Sequence, residues 1–265
     1  VGNKASRLQK WEKGEALASD EARAKYMALT FALLSKALED KENQAAAEKI
    51  SALARKVAGA KDADSLRAAL AALRERVMAL RIPSPLLKDI QNKIIENIGD
   101  GLIFIRSSTN AEDLKEYAAA GRYDSYGAID PKDQEALAYF IKKVWASLYN
   151  ERAYVDRQRY QIEEADARMA QLVHEMAPAS YSFVVHTRNP KDVSGKTMLI
   201  EVVQGLGEAL VSGTEEYMGS PHKIEYNSET GNLNVLSFAD KDYQLVLKGK
   251  KLSRELTDYT DDVLI

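Results

Sequence analysis

The length, composition and charge of the chain describe a globular protein and exclude several classes of function. The chain has 265 residues, of which 45% are hydrophobic and 29% charged, so it can bury a sizeable core in one large domain or two small ones. Its formal net charge of -3 gives no electrostatic basis for binding nucleic acid or an anionic membrane. The absence of cysteine excludes disulfides, thiolate metal sites and a cysteine nucleophile.

The sequence shows neither a membrane span nor a leader. No apolar run approaches the ~18 residues that a spanning helix needs, and no apolar segment follows the start as it would in a signal peptide. We therefore expect a cytoplasmic protein. Because the sequence does not begin with Met, we also expect it to be a piece of a longer polypeptide.

The first third of the chain has the pattern of amphipathic helices. Residues 19–80 are rich in Ala, Leu, Glu, Lys and Arg and contain no Pro. Apolar residues recur at helical spacing, for example at Tyr26, Leu29, Leu33 and Leu34. The pattern predicts two or three helices with a break near Gly59, and Asp64 and Ser65 are candidate N-caps of the later one. A packed helical layer is the favoured interpretation.

The remainder of the chain mixes strands and helices. Short apolar runs between turn residues predict strands at residues 102–105, 169–173, 182–187 and 198–203, and a further hairpin around Glu229-Thr-Gly-Asn. Helices are predicted at residues 86–98 and, as one long element, at 133–159. We therefore expect an α+β fold, with a helical N-terminal portion at residues 1–95 and a sheet-based portion at residues 96–265.

One segment carries the residue types of a phosphate site. Arg106 ends an apolar run and precedes two serines, a threonine, an asparagine and two acids, and the small residues 118–121 come after these. An arginine can bind a phosphate through two parallel hydrogen bonds, and small side chains let backbone N–H groups approach an anion. The same residues also fit a polar turn between a strand and a helix, with Asp113 as the cap.

The motifs and their order resemble one known family. Arg106-Ser-Ser-Thr-Asn-Ala-Glu-Asp-Leu, followed by Ala120-Gly-Arg-Tyr-Asp-Ser, looks like the signature of the pyruvate phosphate dikinase ATP/pyruvate-binding family, which includes phosphoenolpyruvate synthase, glucan water dikinase and rifampin phosphotransferase. The segments 144–154, 169–176, 183–190 and 200–213 resemble further family motifs in the same order. The start, Val1-Gly-Asn-Lys-Ala, also resembles the start of the family.

The resemblance implies an ATP-grasp-like nucleotide-binding fold and a phosphotransferase of the dikinase type. Members transfer the β-phosphoryl group of ATP to a histidine on a separate domain. We therefore expect ATP and Mg²⁺ as cofactors, a phosphohistidine carrier domain absent from this chain as partner, and a small-molecule or glycan acceptor bound through other domains. The chain has three histidines, none of them in a motif of the carrier type: His174, His186 and His222.

The family motifs also imply which residues contact the nucleotide. Lys4 and Arg106 would neutralise the phosphates and form the catalytic pair. The backbone around Glu175 and Met176, on the hinge strand of the family, would meet the adenine.

A metal site is implied by the acids and amides of segment 200–213. Glu201 and Gln204 would bind Mg²⁺, with Glu208 close by on the nucleotide side. This is chemically coherent, because carboxylate and amide oxygens suit a hard cation that bridges phosphates. An acid at a strand end can equally face water without binding a metal.

The chain departs from the family pattern at several positions. Arg122 stands where relatives usually have an apolar residue, and Lys115-Glu-Tyr-Ala-Ala replaces a glycine-rich stretch. The strands that usually follow the lysine motif are absent, so we expect an N-terminal lobe that is remodelled or incomplete. These departures leave a second function open, namely a degenerate ATP-grasp module that regulates or scaffolds without catalysis.

Overall fold

The computed structural model describes residues 4–6, 25–111, 121–164, 166–207, 210, 220–240, 242–249 and 251–258. The chain forms two compact units, residues 1–176 and residues 177–265. The first unit contains helices and one sheet, and the second contains strands. The expected α+β class is therefore confirmed.

The helical prediction for the first third of the chain is confirmed from residue 32 onward. The helices are α1 (Ala32–Glu39), α2 (Gln44–Ala58), α3 (Ala63–Met78) and α4 (Ser84–Asn97). The predicted break near Gly59 separates α2 from α3. The N-cap of α3 is Asp62, whose carboxylate accepts a hydrogen bond from the Ser65 N–H at 2.8 Å, so Asp64 and Ser65 are not the caps.

The segment 26–29, which the apolar spacing predicts as helical, is instead a strand, β1 (Tyr26–Leu29). It pairs antiparallel with β4 (Met169–Glu175), with Tyr26 opposite His174 and Leu29 opposite Gln171. Four residues are too few for a periodicity to separate helix from strand, and pairing with a distant strand decides the conformation.

The first unit is built on a four-stranded sheet in the order β1-β4-β2-β3, where β2 is Ile103–Thr109 and β3 is Ser125–Ile129. All neighbouring strands are antiparallel. Because side chains alternate between the faces of a strand, Ile103 and Ile105 point into the core, where both are fully buried. The opposite face carries Phe104 and Arg106, and we call it the Arg106 face.

The long helix predicted at residues 133–159 is in fact two helices. They are α5 (Gln134–Ala146) and α6 (Glu151–Arg159), separated by a 3₁₀ turn at Ser147–Tyr149. Asn150 has an extended backbone, with φ −62° and ψ 136°, and this interrupts the helical hydrogen bonds. The apolar spacing continues across the break, so the pattern alone does not reveal it.

Helices α1 to α6 supply a hydrophobic core together with the sheet. Burial of each large side chain stabilises the fold by about 1.5–3 kcal/mol. The largest fully buried apolar side chains of the helices are Leu70, Leu73, Ile94, Leu137, Ile141 and Trp145.

The second unit contains a four-stranded antiparallel sheet and a separate hairpin. The sheet has the order β5-β6-β7-β8, formed by β5 (Tyr181–His186), β6 (Thr197–Gln204), β7 (His222–Asn227) and β8 (Leu233–Ser237). The hairpin is β9 (Tyr243–Lys248) and β10 (Lys251–Leu256). The predicted strands and the predicted turn around Glu229 are confirmed.

The predicted boundary between the portions 1–95 and 96–265 falls inside α4 (Ser84–Asn97). The assignment of residues 96–265 as an ATP-grasp-like nucleotide-binding portion stays a prediction. In the described part of the chain, no helix has both the length and the apolar character that crossing a membrane requires.

Candidate nucleotide site

Arg106 is an exposed cation on the Arg106 face of the first sheet. It lies in the middle of β2, opposite Leu172 of β4 and Ser125 of β3. Its guanidinium makes no hydrogen bond or ion pair with any residue that the structure describes. Five N–H donors are therefore available to a planar or tetrahedral anion.

Lys4 reaches the same strand from the start of the chain. Its Nζ donates to the Ser107 carbonyl oxygen at 3.0 Å and lies 3.4 Å from Ser107 Oγ. The N–H of the next residue, Ala5, donates to Ser108 Oγ at 3.2 Å. The structure thus holds Lys4 on the residue that follows Arg106.

The hydroxyl groups after Arg106 are used inside the protein. Ser107, Ser108 and Thr109 are buried. Thr109 Oγ1 accepts the N–H of Ala111 at 3.1 Å, while the two serine hydroxyls contact residues 4 and 5. The hydroxyl run therefore holds the start of the chain against β2.

His174 lies beside Arg106 on the same face. Its ring stacks on Phe104 with centroids 5.3 Å apart, and Nδ1 lies 2.8 Å from the Glu175 carbonyl oxygen. Burial lowers the pKa of His174, and the nearby Arg106 charge lowers it further against the opposing effect of that hydrogen bond. A neutral imidazole next to Arg106 adds no charge to the site.

The backbone N–H groups of the predicted adenine contacts are already engaged. Glu175 N–H donates to the Lys25 carbonyl at 3.1 Å, and Met176 N–H donates to the Leu102 carbonyl at 2.8 Å. The Glu175 carboxylate accepts the Lys25 N–H at 3.0 Å. In this conformation a base could contact the backbone of Glu175 and Met176 only at the carbonyl oxygens, and the Glu175 oxygen already lies 2.8 Å from His174 Nδ1.

Glu201 lies on β6 of the second unit and has a basic neighbour. Its carboxylate is 3.1 Å from Lys223 Nζ on the adjacent strand β7, and the Glu201 side chain is 22% exposed. Gln204 ends the same strand, and its Nε2 donates to the Asp258 carbonyl oxygen at 2.5 Å. The hydrogen bond fixes the orientation of the Gln204 amide and leaves Oε1 as its acceptor end.

Glu201 and Gln204 do not converge in this structure. Strand β6 pairs with β5 in continuous register over residues 199–204, so its side chains alternate between the two faces. Positions 201 and 204 are an odd number of residues apart and therefore leave opposite faces. One ion cannot be bound by both while β6 keeps this geometry.

The chemistry of Glu201 alone fits Mg²⁺, which is commonly held by one or two carboxylates together with substrate phosphates and waters. Glu208 lies outside the described residues. Over the described ranges, no group of three or more His, Cys, Asp or Glu could hold a metal ion.

Sequence reasoning missed several residues that shape the site. Lys223 faces Glu201 only because β6 and β7 pair, and Asp124 and Asn150 meet across 26 residues at 2.9 Å. Neither pair has a spacing that a helix or a single strand would bring together. Only the fold reveals them.

The chain belongs to the family described as pyruvate phosphate dikinase, AMP/ATP-binding domain, which its residues 1–262 match. The resemblance that the motifs indicate is thereby confirmed. An exposed arginine on β2, next to the residue that binds Lys4, is consistent with the phosphate chemistry of such a domain.

Relatives with described functions are kinases and phosphotransferases. The chain is 33% identical over 190 residues to chloroplastic alpha-glucan water dikinase of Citrus reticulata, which covers 70% of this chain and 11% of that protein. It is 28% identical over 207 residues to a probable phosphoenolpyruvate synthase of Methanocaldococcus jannaschii, covering 76% and 17%. It is 32% identical over 141 residues to rifampicin phosphotransferase of Bacillus subtilis, covering 53% and 16%. The chain therefore spans less than a fifth of each relative.

Proposed function

We propose that this chain is the ATP-grasp-like nucleotide-binding domain of a dikinase-type phosphotransferase. In the proposed reaction the β-phosphoryl group of ATP passes to a histidine on a separate carrier domain, and other domains bind the small-molecule or glycan acceptor. Membership of an AMP/ATP-binding family supports ATP as the bound nucleotide. The observation that carries the assignment is Arg106, whose exposed guanidinium has no partner among the described residues and lies next to the contact of Lys4.

The proposed roles of the first unit concern phosphate charge. Arg106 binds a phosphate through its paired N–H donors, and Lys4 adds a second positive charge at the same strand. Transfer of a phosphoryl group depends mainly on positioning and charge neutralisation, which are roles that a lysine and an arginine can fill. The carbonyl oxygens of Glu175 and Met176 are the proposed contacts of the adenine amino group.

The proposed role of Glu201 is to hold Mg²⁺ against the phosphates. When bound, Mg²⁺ would supply positive charge that neutralises the phosphates. Lys223 orients the Glu201 carboxylate by pairing with it from β7. Gln204 and Glu208 stay predicted nucleotide-side residues, and Gln204 could join the ion only through a change at the end of β6.

Calorimetric titration with ATP tests the proposal. We expect saturable binding of ATP that Mg²⁺ strengthens, because the cation adds a contact between Glu201 and the phosphates. Adenosine should bind more weakly, since it lacks the groups that Arg106 and Lys4 contact. A lack of both heat and thermal shift at millimolar nucleotide would contradict the proposal and would favour a module without catalysis.

Incubation with ATP labelled at the β position is expected to leave no acid-labile phosphate on this chain. His222 is buried, and its Nδ1 accepts the Ala239 N–H at 3.1 Å. His174 is partly buried against Phe104, and His186 lies on a strand outside any carrier motif. The full-length protein is the positive control, and label on any of the three histidines would contradict a separate carrier.

A further inference from the structure

Helix α6 and Asn150, the residue before it, contact three consecutive residues that lead into strand β3. The Arg122 side chain forms an ion pair with Asp156. The Tyr123 hydroxyl accepts a hydrogen bond from Arg157 Nη1 at 3.2 Å. Asp124, the third residue, is held by two donors from the same region. We call the four residues that make these contacts the α6 brace: Asn150, Arg152, Asp156 and Arg157.

Asp124 is the centre of the brace contacts. Its Oδ1 accepts from Asn150 Nδ2 at 2.9 Å and from Arg152 Nη2 at 3.3 Å. Its Oδ2 accepts from the Tyr126 hydroxyl at 3.1 Å. Arg152 also donates from Nε to the Arg122 carbonyl oxygen at 3.3 Å. One guanidinium thus bridges a side chain and a backbone group two residues apart.

Strand β3 needs such support because its own pairing is weak. It is an edge strand of the sheet and has five residues. Its pairing with β2 shifts register between Ile103 and Ile105, and Ala128 has a positive φ of 57°. Ser125, its first residue, is the partner of Arg106 across the ladder. Holding Asp124 therefore fixes the strand that flanks Arg106.

The cleft beside the brace is a poor candidate for a second anion site. It has a volume of about 730 Å³ and is lined by Arg74, Arg122 and Arg152 together with Asp124 and Asp156. Each arginine already has a protein acceptor, since Arg74 Nη1 donates to the Tyr149 carbonyl at 2.8 Å and the other two contact the brace partners. The arginines that line the cleft therefore pair within the protein and stabilise its structure.

We infer that Arg152 is a positioning residue for nucleotide binding, which acts through β3 on Arg106. The inference rests on the proposed role of Arg106 as the phosphate contact. Arg152 is half exposed, with a side-chain exposure of 54%, so its ion pair contributes little to global stability. Arg152 matters because its planar guanidinium donates to two acceptors in a fixed geometry, which a lysine cannot reproduce.

The test is to measure ATP and adenosine affinity for Arg152→Ala and Arg152→Lys. Couplings of this kind typically change an affinity by about twofold to thirtyfold. We expect a loss of that size for ATP in both variants, and none for adenosine. The matched control is Arg67→Ala, which removes an equally exposed arginine that pairs with Glu151 at the same helix start and should leave ATP affinity unchanged.

A double variant separates an action through Arg106 from a separate contact. If Arg152 acts through Arg106, Arg106→Ala combined with Arg152→Ala should bind ATP no more weakly than Arg106→Ala alone. Additive losses, parental ATP affinity of Arg152→Ala, or full rescue by Arg152→Lys would each overturn the inference. If the parent itself binds no ATP, the proposed function fails first, so the two failures are distinguishable.

Discussion

Replacement of Arg106 by alanine is expected to weaken ATP binding about tenfold to a hundredfold. The variant removes a charge-assisted contact that is typically worth ~1.5–3 kcal/mol, and about 1.4 kcal/mol corresponds to a tenfold change. The loss should appear with and without Mg²⁺, because the arginine meets the phosphate directly. Isothermal titration calorimetry in both conditions, with the melting temperature of each variant, measures it.

Glu201→Gln is the matched comparison. It removes a carboxylate charge that affects the affinity for ATP only through bound Mg²⁺. Its affinity for ATP should be close to that of the parent without Mg²⁺ and clearly lower with it. Structural roles for Arg106 and Glu201 would instead change the melting temperature without any dependence on metal. If both variants bind ATP like the parent in both conditions, the residue assignments are wrong even if the fold is right.

Glu164→Ala is expected to destabilise the first unit by about 3 kcal/mol. Arg157 is fully buried, and Glu164 binds it through two contacts, at 2.8 Å and 2.9 Å. Removal of one partner of a buried ion pair typically costs ~3–5 kcal/mol, because a buried charge is left uncompensated. We expect a cost at the lower end of this range, since the Glu164 side chain is 33% exposed and water can reach part of the site.

Urea denaturation followed by tryptophan fluorescence measures this loss, since Trp145 is buried in the first unit. Glu163→Ala is the matched control, because it removes the same side chain from the preceding, exposed position. Its unfolding free energy should stay within about 0.5 kcal/mol of the parent. Equal midpoints for the two variants would show that the Arg157 pair contributes little to stability.

Most strands and helices could be predicted because their patterns are local. The runs that became β2, β4 and β6 are apolar and bounded by turn residues, and the helices around Gly59 have a sustained period. Two predictions failed where local pattern was ambiguous. The apolar spacing of segment 26–29 fits a helix and a strand equally well. The apolar period continues across the break at Asn150.

The sequence by itself determined the family, the phosphate-type motif at Arg106 and the lack of a carrier-type histidine motif, since these depend only on residue identity and order. The tertiary structure alone decided which of those residues meet. It places Lys4 on the strand of Arg106 across 103 residues, sends Glu201 and Gln204 to opposite faces of β6, and joins Asp124 to Arg152 across 28 residues. Contacts over such separations depend on the path of the chain and on strand register, and no local pattern encodes either.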